Sequence, residues 1–250
     1  MKIAVLMKRV PDLVEDLEVD DDGKALDPDC VSLTTNEFDD HALEEGLLLK
    51  EATGGELSAI AMDGDDVDKM LFTALAKGAD RALKITGGGA VHGNRELARF
   101  FQKVLASRSA DLILTGVQAA DDRDGQLGPI VAALMDLPSV EVVTSTAPGD
   151  GHVTVHKEYA GGVVAEFEVD LPAVLGIQAA RQPPRYAPVS KVRQIRQSTT
   201  LETQEQAPGD DGGDGFAVVV MTPPETGAGA QMLDGVEELV EVLAAKGVLG

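Results

Sequence analysis

Short apolar runs alternate with amphipathic stretches from the first residues onward, and that alternation restricts the chain to a parallel sheet covered by helices. Lys2 to Met7 is almost unbroken in its apolar character, the pattern of a strand buried on both faces. Pro11-Asp12 stops it, and an acidic loop continues to Asp29. Asn36 to Thr53 reads as a helix. Asn36 can cap it, acids occupy its first turns, Ala42, Leu43, Gly46, Leu47 and Lys50 share a stripe, and Gly54-Gly55 end it. Leu57 to Met62 is a second strand. A helix opening at Asp65 or Asp66 buries Met70, Leu71, Ala74 and Leu75 and stops at Gly78, after which Arg81 to Ile85 forms a third strand. Asn94 to Ser107 and Leu127 to Met135 are further helices, with Leu112 to Thr115 as a strand between them.

The pattern then changes. Ser139 to Thr146, His152 to His156, Val163 to Val169 and Ala173 to Ile177 are β-rich runs separated by Gly and Asp, which predicts an antiparallel meander appended to the parallel sheet. From Leu171 to Leu201 there is no Asp or Glu, while Arg181, Arg185, Lys191, Arg193 and Arg196 all lie inside. A basic segment on an acidic chain reads as a docking or anion-holding element, against the plainer alternative of an exposed strand and turn. Glu202 to Gly215 is acidic and Gly-rich, a linker by composition. A strand from Phe216 to Met221, a Pro-Pro turn and a helix with Leu233, Val236, Leu239, Val240 and Leu243 on one face complete the chain. The expected class is therefore α/β, a Rossmann-like, open, mostly parallel sheet with a meander and a C-terminal arm. Residues 1–185 are expected to form the α/β domain, and 186–250 the remaining basic stretch, acidic linker and arm.

The formal net charge of -22 argues against a nucleic-acid binder, whose affinity rests on neutralising phosphates with Lys and Arg. Apolar runs such as Ala217 to Met221 fall far short of the roughly 20 residues that span a bilayer. Ile3 to Met7 is shorter than the apolar core of about 7–15 residues in a secretory signal, so a cytoplasmic location is expected. Cys30 is the single cysteine, which leaves no internal disulfide and no cysteine cluster for a metal.

The most informative segment is Thr115 to Pro129. It leaves a strand at its carboxyl end and enters a helix, the place where open α/β sheets bind ligands. Gly116, Gly125 and Gly128 allow close backbone approach, and free amides at the helix start can hold a phosphate. The segment matches neither a Walker-type loop nor Gly-x-Gly-x-x-Gly, so spacing alone leaves a nucleotide site and an ordinary capped loop equally open. Gly87-Gly88-Gly89 reads as a flexible connector. His152 and His156 are separated by about 13 Å along a strand, too far to share a metal. His41 and Glu45 read as a surface pair on a helix, and His92 stands alone in a loop. Asp121 and Asp122 could serve as acid and base but are more simply turn residues, and no Ser or Cys nucleophile context is present. The residues by themselves suggest a nucleotide-binding module without catalytic residues or a metal.

Read in order, several segments resemble the electron-transfer flavoprotein beta subunits. These are Val5 to Asp12, Asn36 to Asp39 with Ala42 to Glu45 and Leu49-Lys50, Thr73 to Arg81, Asp111 to Asp122 with Gly125 to Pro129, Leu171 to Val174, and Pro184 to Tyr186. The resemblance spans residues 1 to 197 and is specific as a set. It implies an adenine-nucleotide alpha-hydrolase-like fold and a heterodimer with an alpha subunit that carries FAD, the redox centre. It also implies AMP in this chain, surrounded by Leu6, by Asn36, Glu37, Phe38 and Asp39, by Asp63, and by Val117, Gln118, Ala119, Ala120, Asp121, Asp122, Arg123, Asp124, Gly125, Gln126, Leu127 and Gly128. Gln126 and the amides near Gly125 and Leu127 would face the phosphate, and Phe38 the adenine. Tyr186, Val189 and Arg193 would belong to a loop that recognises a dehydrogenase, such as an acyl-CoA dehydrogenase, the electron donor.

Three departures bear on that picture, the strongly acidic surface being one. Gly125-Gln-Leu-Gly128 lacks a hydroxyl that AMP-type members carry, and Lys191 to Gln197 replaces a Lys-rich run. Two alternatives remain at this level: an electron-bifurcating subunit that binds its own, second FAD and oxidises NADH, and a free-standing nucleotide-sensing or ATP-hydrolysing α/β domain.

Overall fold

The computed structural model describes residues 1–88, 93–122, 124–207, 218–223 and 229–249. Its centre is a nine-stranded sheet. The strands in chain order are β1 (Lys2–Met7), β4 (Glu56–Met62), β5 (Arg81–Thr86), β6 (Leu112–Gly116), β7 (Ser139–Pro148), β8 (His152–Tyr159), β9 (Val163–Asp170), β10 (Ala173–Ile177) and β11 (Glu202–Glu205). Their order across the sheet is β11-β5-β4-β1-β6-β10-β7-β8-β9. Every pairing from β11 to β7 is parallel, and β7-β8 and β8-β9 are antiparallel. A separate antiparallel pair, β2 (Arg9–Pro11) and β3 (Leu33–Thr35), closes the acidic loop at its base.

Helices cover both faces. On one side α1 (Glu37–Thr53) and α2 (Val67–Lys77) bury Leu43, Leu47, Met70 and Leu71 against Ile3, Val5 and Leu114. On the other, α3 (Asn94–Ala106) and α4 (Leu127–Met135) bury Phe101, Leu105 and Val131 against Ala4, Leu6 and Ile113. Successive residues of β1 alternate between the two cores, as the two-residue period of a strand requires. The expected α/β class is the one observed.

Four expectations change. Ala173–Ile177 is not part of the meander: β10 returns to lie between β6 and β7, parallel to both, and all five of its residues are buried. The continuous apolar run Ala173-Val174-Leu175 was the signal for a central strand. Glu202–Glu205 begins not as a linker but as an edge strand, held by ladder bonds to β5 and by Glu202, which accepts from Arg81 at 2.7 Å and from Arg108 at 2.5 Å. The segment expected to be a partner-recognising loop is helical: α5 (Val189–Ser198) follows Pro188 and packs on α2 with Val192 and Ile195 half-buried. The rest of the expected linker, 208–215, lies outside the described residues, as do His92, Gly89 and the second proline of the Pro-Pro turn. The strand expected over 216–221 is absent from its described part, 218–221. The C-terminal helix forms as α6 (Val236–Ala245), and none of its residues is buried by this chain.

Candidate functional site

β1 and β6 are neighbours, yet the helices that follow them leave to opposite faces of the sheet: α1 joins one core and α4 the other. That arrangement is a topological switch point, and the carboxyl ends of the strands part there to make a crevice. A cleft of about 1060 Å³ opens at this end of the sheet. Lys8 and Arg9 enter it from the exit of β1, Asp63 from the exit of β4, and Asp121, Asp122, Asp124 and Gln126 from the loop between β6 and α4.

Asp39 braces the switch point. Its Oδ2 accepts the Lys8 backbone N–H at 2.8 Å and its Oδ1 accepts the Gly116 N–H at 3.0 Å, tying the ends of β1 and β6 to the first turn of α1. Burial pushes its carboxyl up to about 7, against those two donors, Asn36 and the Lys8 charge. Gly116 is required where α1 meets β6: a Cβ there would sit 2.5 Å from Asp39 Oδ1 and 2.7 Å from Phe38 Cβ. Asn36 does not cap α1. Its Nδ2 donates instead to the Gln118 carbonyl at 2.9 Å, fastening the start of the β6–α4 loop.

The loop itself is held by Lys8, whose Nζ lies 2.7 Å from Asp121 and 3.1 Å from Asp122. Burial lowers the ammonium's affinity for its proton, but the two aspartates overcome this, and its pKa is raised. Gly125 turns the chain with φ of 62° and donates to Asp122 Oδ1 at 3.3 Å. α4 then starts at Leu127 with no side chain capping it, and Pro129 has no N–H to offer. The helix start therefore carries amide donors without a side-chain cap, next to the exposed Gln126, which lines the cleft.

The residues expected around a nucleotide thus separate into groups. Asp63, Asp121, Asp122, Asp124 and Gln126 line the cleft. Glu37 and Gln118 are exposed, Phe38, Val117, Ala120 and Gly125 are half-buried, and Ala119, Leu127 and Gly128 are buried. Leu6 is fully buried with its side chain in the α3–α4 core, so only its backbone is available. Asn36 and Asp39 spend their side chains on the scaffold, and Arg123 lies outside the described residues. Lys8, Arg9, Lys24 and Arg95 line the cleft without having been singled out. The Lys8-Arg9 pair at the exit of a buried strand was the available signal.

His41 and Glu45 are not a surface pair. Glu45 has no exposed surface: its carboxylate accepts from Arg181 Nε at 2.8 Å and from the Thr146 hydroxyl at 2.6 Å, while His41 Nδ1 accepts the Ala180 N–H. Glu44 and Glu51 hold Arg185. Two of the five basic residues are therefore consumed as clamps on α1. Beyond the clamps Tyr186 is 79% and Val189 66% exposed, and Arg193 is exposed as well. Cys30 comes within 4.8 Å of ligand atoms of Glu18 and Asp27, a grouping that sequence did not suggest. Desolvation and those two carboxylates push its thiol up, which disfavours the thiolate a metal would need. Among the described residues no helix is long and apolar enough to cross a membrane.

Comparison with known proteins agrees with this geometry. The Electron transfer flavoprotein domain matches residues 31–209. The chain is 35% identical over 217 residues to the electron transfer flavoprotein subunit beta of Methylophilus methylotrophus, covering 85% of this chain and 81% of that protein. It is 29% identical over 252 residues to the mouse subunit beta, covering 99% and 98%. The mitochondrial subunit beta of Oryza sativa subsp. indica is 30% identical over 253 residues, covering 97% of both. With a parallel sheet, a glycine loop at its switch point and these relatives, the chain belongs to the electron transfer flavoprotein family as a beta subunit.

Proposed function

We propose that this chain works as the small subunit of a heterodimer, holding AMP in the crevice at the β1/β6 switch point and helping to position the FAD of its alpha subunit. Electrons would pass from a dehydrogenase to a downstream acceptor through that flavin. The observation that carries the reading is the start of α4, uncapped by any side chain, after the Gly125 turn and next to Gln126, which lines the cleft. These residues fit an adenylate: the Gln126 side chain and the amides from 126 to 128 would take the phosphate, and Asp63 and Asp122 offer acceptors to hydroxyl or amino groups. Lys8 is already neutralised by Asp121 and Asp122, so the backbone, rather than a free cation, would carry most of the phosphate recognition.

The flavin, when bound by the pair, supplies the one-electron chemistry. This chain's part is geometric. Its apolar C-terminal helix α6 and the exposed residues of β9 offer faces to a partner, and Tyr186 and Val189 stand clear of the core on a basic segment. Val189, beside Lys191 and Arg193 on α5, would anchor the dehydrogenase. The test is reduction of the heterodimer's flavin by a dehydrogenase. Val189→Asp should slow it by about tenfold or more, as loss of an interface anchor does, with nucleotide content unchanged. Failure of the chain to associate with an alpha subunit would sink the reading.

A further inference from the structure

Beneath the start of α4 lies a recess that the nucleotide reading does not use. Thr115, at the end of β6, has no exposed surface, and its Oγ1 has no hydrogen-bond partner. Both carboxyl oxygens of Glu141 are also buried without partners. They meet on the α4 side of the sheet. A Cβ on Gly128, the second residue of α4, would sit 2.9 Å from Thr115 Oγ1 and 3.0 Å from Glu141 Oε1. On β10 a Cβ at Gly176 would sit 1.6 Å from Glu141 Oε2, so only glycine fits.

The backbone is bent to aim Glu141 inward. The β7–β10 register shifts at this point, and Val142 takes φ of 63°, a conformation that costs a β-branched residue energy. A carboxyl buried without a donor costs free energy, so strain and desolvation are both spent on this one side chain.

We infer that Glu141 is a proton-holding positioning residue for the anion site, its protonation state setting how strongly the start of α4 holds a phosphate. An ionised carboxylate directly beneath the helix start opposes the positive end of the dipole and repels an anion above it; a protonated one does neither. By reciprocity, a bound anion favours the protonated form, and binding takes up a proton. This rests on the nucleotide reading above.

The surroundings leave Glu141 dominant. Among the described residues, β6, β10 and α4 present Thr115, Gly176 and Gly128 here and no titratable group, and Lys157 on β8 is the cation that favours ionisation. Asp122 and Asp124 lie on the loop ahead of α4. Burial pushes the carboxyl up to about 7, so its charge changes within the working range of the protein.

The experiment is calorimetric titration of AMP into the nucleotide-stripped heterodimer from pH 5.5 to 9, in buffers of different ionisation heat. Inorganic phosphate serves as the second probe. The expected affinity falls about tenfold as pH rises through 7, one unit of charge repulsion at this range, with proton uptake on binding. The ligand phosphate itself titrates at roughly pH 6–7. Glu141→Gln, which keeps the volume, should therefore retain only that ligand-borne pH dependence and lose the additional fall in affinity and the additional proton uptake shown by the native protein. Melting curves show whether it folds. Binding by the native protein without proton uptake overturns the inference even if the variant fails to fold, as does an unchanged pH profile in Glu141→Gln. No binding of AMP at any pH overturns the nucleotide reading itself, and this inference with it.

Discussion

Single residues at the switch point carry structural duties that their position alone does not reveal. Asp39 lies in the motif that sequence places around a nucleotide, yet both of its oxygens are spent on the Lys8 and Gly116 amides. Asp39→Asn would set an amide N–H against one of those donors. The expected loss is about 2–3 kcal/mol of folding stability, the penalty of a buried donor without an acceptor, read from urea unfolding. A loss under about 0.5 kcal/mol would contradict the brace. Glu141 gives a pH dependence with a definite sign. Its carboxyl is raised from 4.5 to about 7 in the folded protein, so the folded state binds more protons than the unfolded one between those values. Its contribution to stability is present below pH 4.5 and declines as pH rises through about 7. Glu141→Gln should therefore be more stable than the native chain at pH 8 and differ little at pH 4.5, measured by thermal melts. Nothing in the run Ser139-Val140-Glu141-Val142 marks this residue, because the recess is made by Gly128 and Gly176 on other elements.

At the scale of elements, the clamp between α1 and the basic segment decides where α5 begins. Glu44 and Glu45 are buried on the inner side of α1 and grip Arg185 and Arg181, also receiving their backbone N–H groups. Glu45→Ala would leave Arg181 and the Thr146 hydroxyl without their acceptor. The cost should be about 3 kcal/mol, toward the low end for a broken buried pair because the Arg181 side chain is 34% exposed. Denaturant unfolding measures it, and a change within error would show the clamp to be idle. The helices and parallel strands were legible because long periodic stripes and apolar runs report burial directly: Lys2–Met7, Glu37–Thr53 and Leu127–Met135 sit within a residue or two of their expected bounds. What sequence missed depends on distant partners. Glu202–Glu205 looks like linker until β5 and two arginines appear beside it, and Glu45 looks like a surface acid until Arg181 returns 136 residues later.

The whole molecule carries a formal charge of -22, and among the described residues nine of its 21 Lys and Arg, namely Lys8, Arg9, Lys50, Lys77, Lys84, Arg81, Arg108, Arg181 and Arg185, sit in ion pairs with Asp or Glu. Self-repulsion among the surplus acids opposes compaction. Salt should raise the melting temperature by several degrees as the Debye length shrinks from about 10 Å at 0.1 M to about 3 Å at 1 M. A fall would mean that surface ion pairs outweigh the repulsion. The family was legible from short segments in order along the chain, whereas the proposed nucleotide site was only half legible. Its glycines and loop stand out, but Lys8 and Arg9 reach the cleft from the exit of β1 and Arg95 from α3, far apart in the chain.

The central claim is that the cleft at the β1/β6 switch point holds an adenine nucleotide in this chain. The most direct measurement is to purify the heterodimer formed with its alpha subunit, denature it, and quantify the released nucleotides by chromatography. One FAD and one AMP for each heterodimer is the predicted result. Two FAD, or a single FAD with no adenylate, would contradict it.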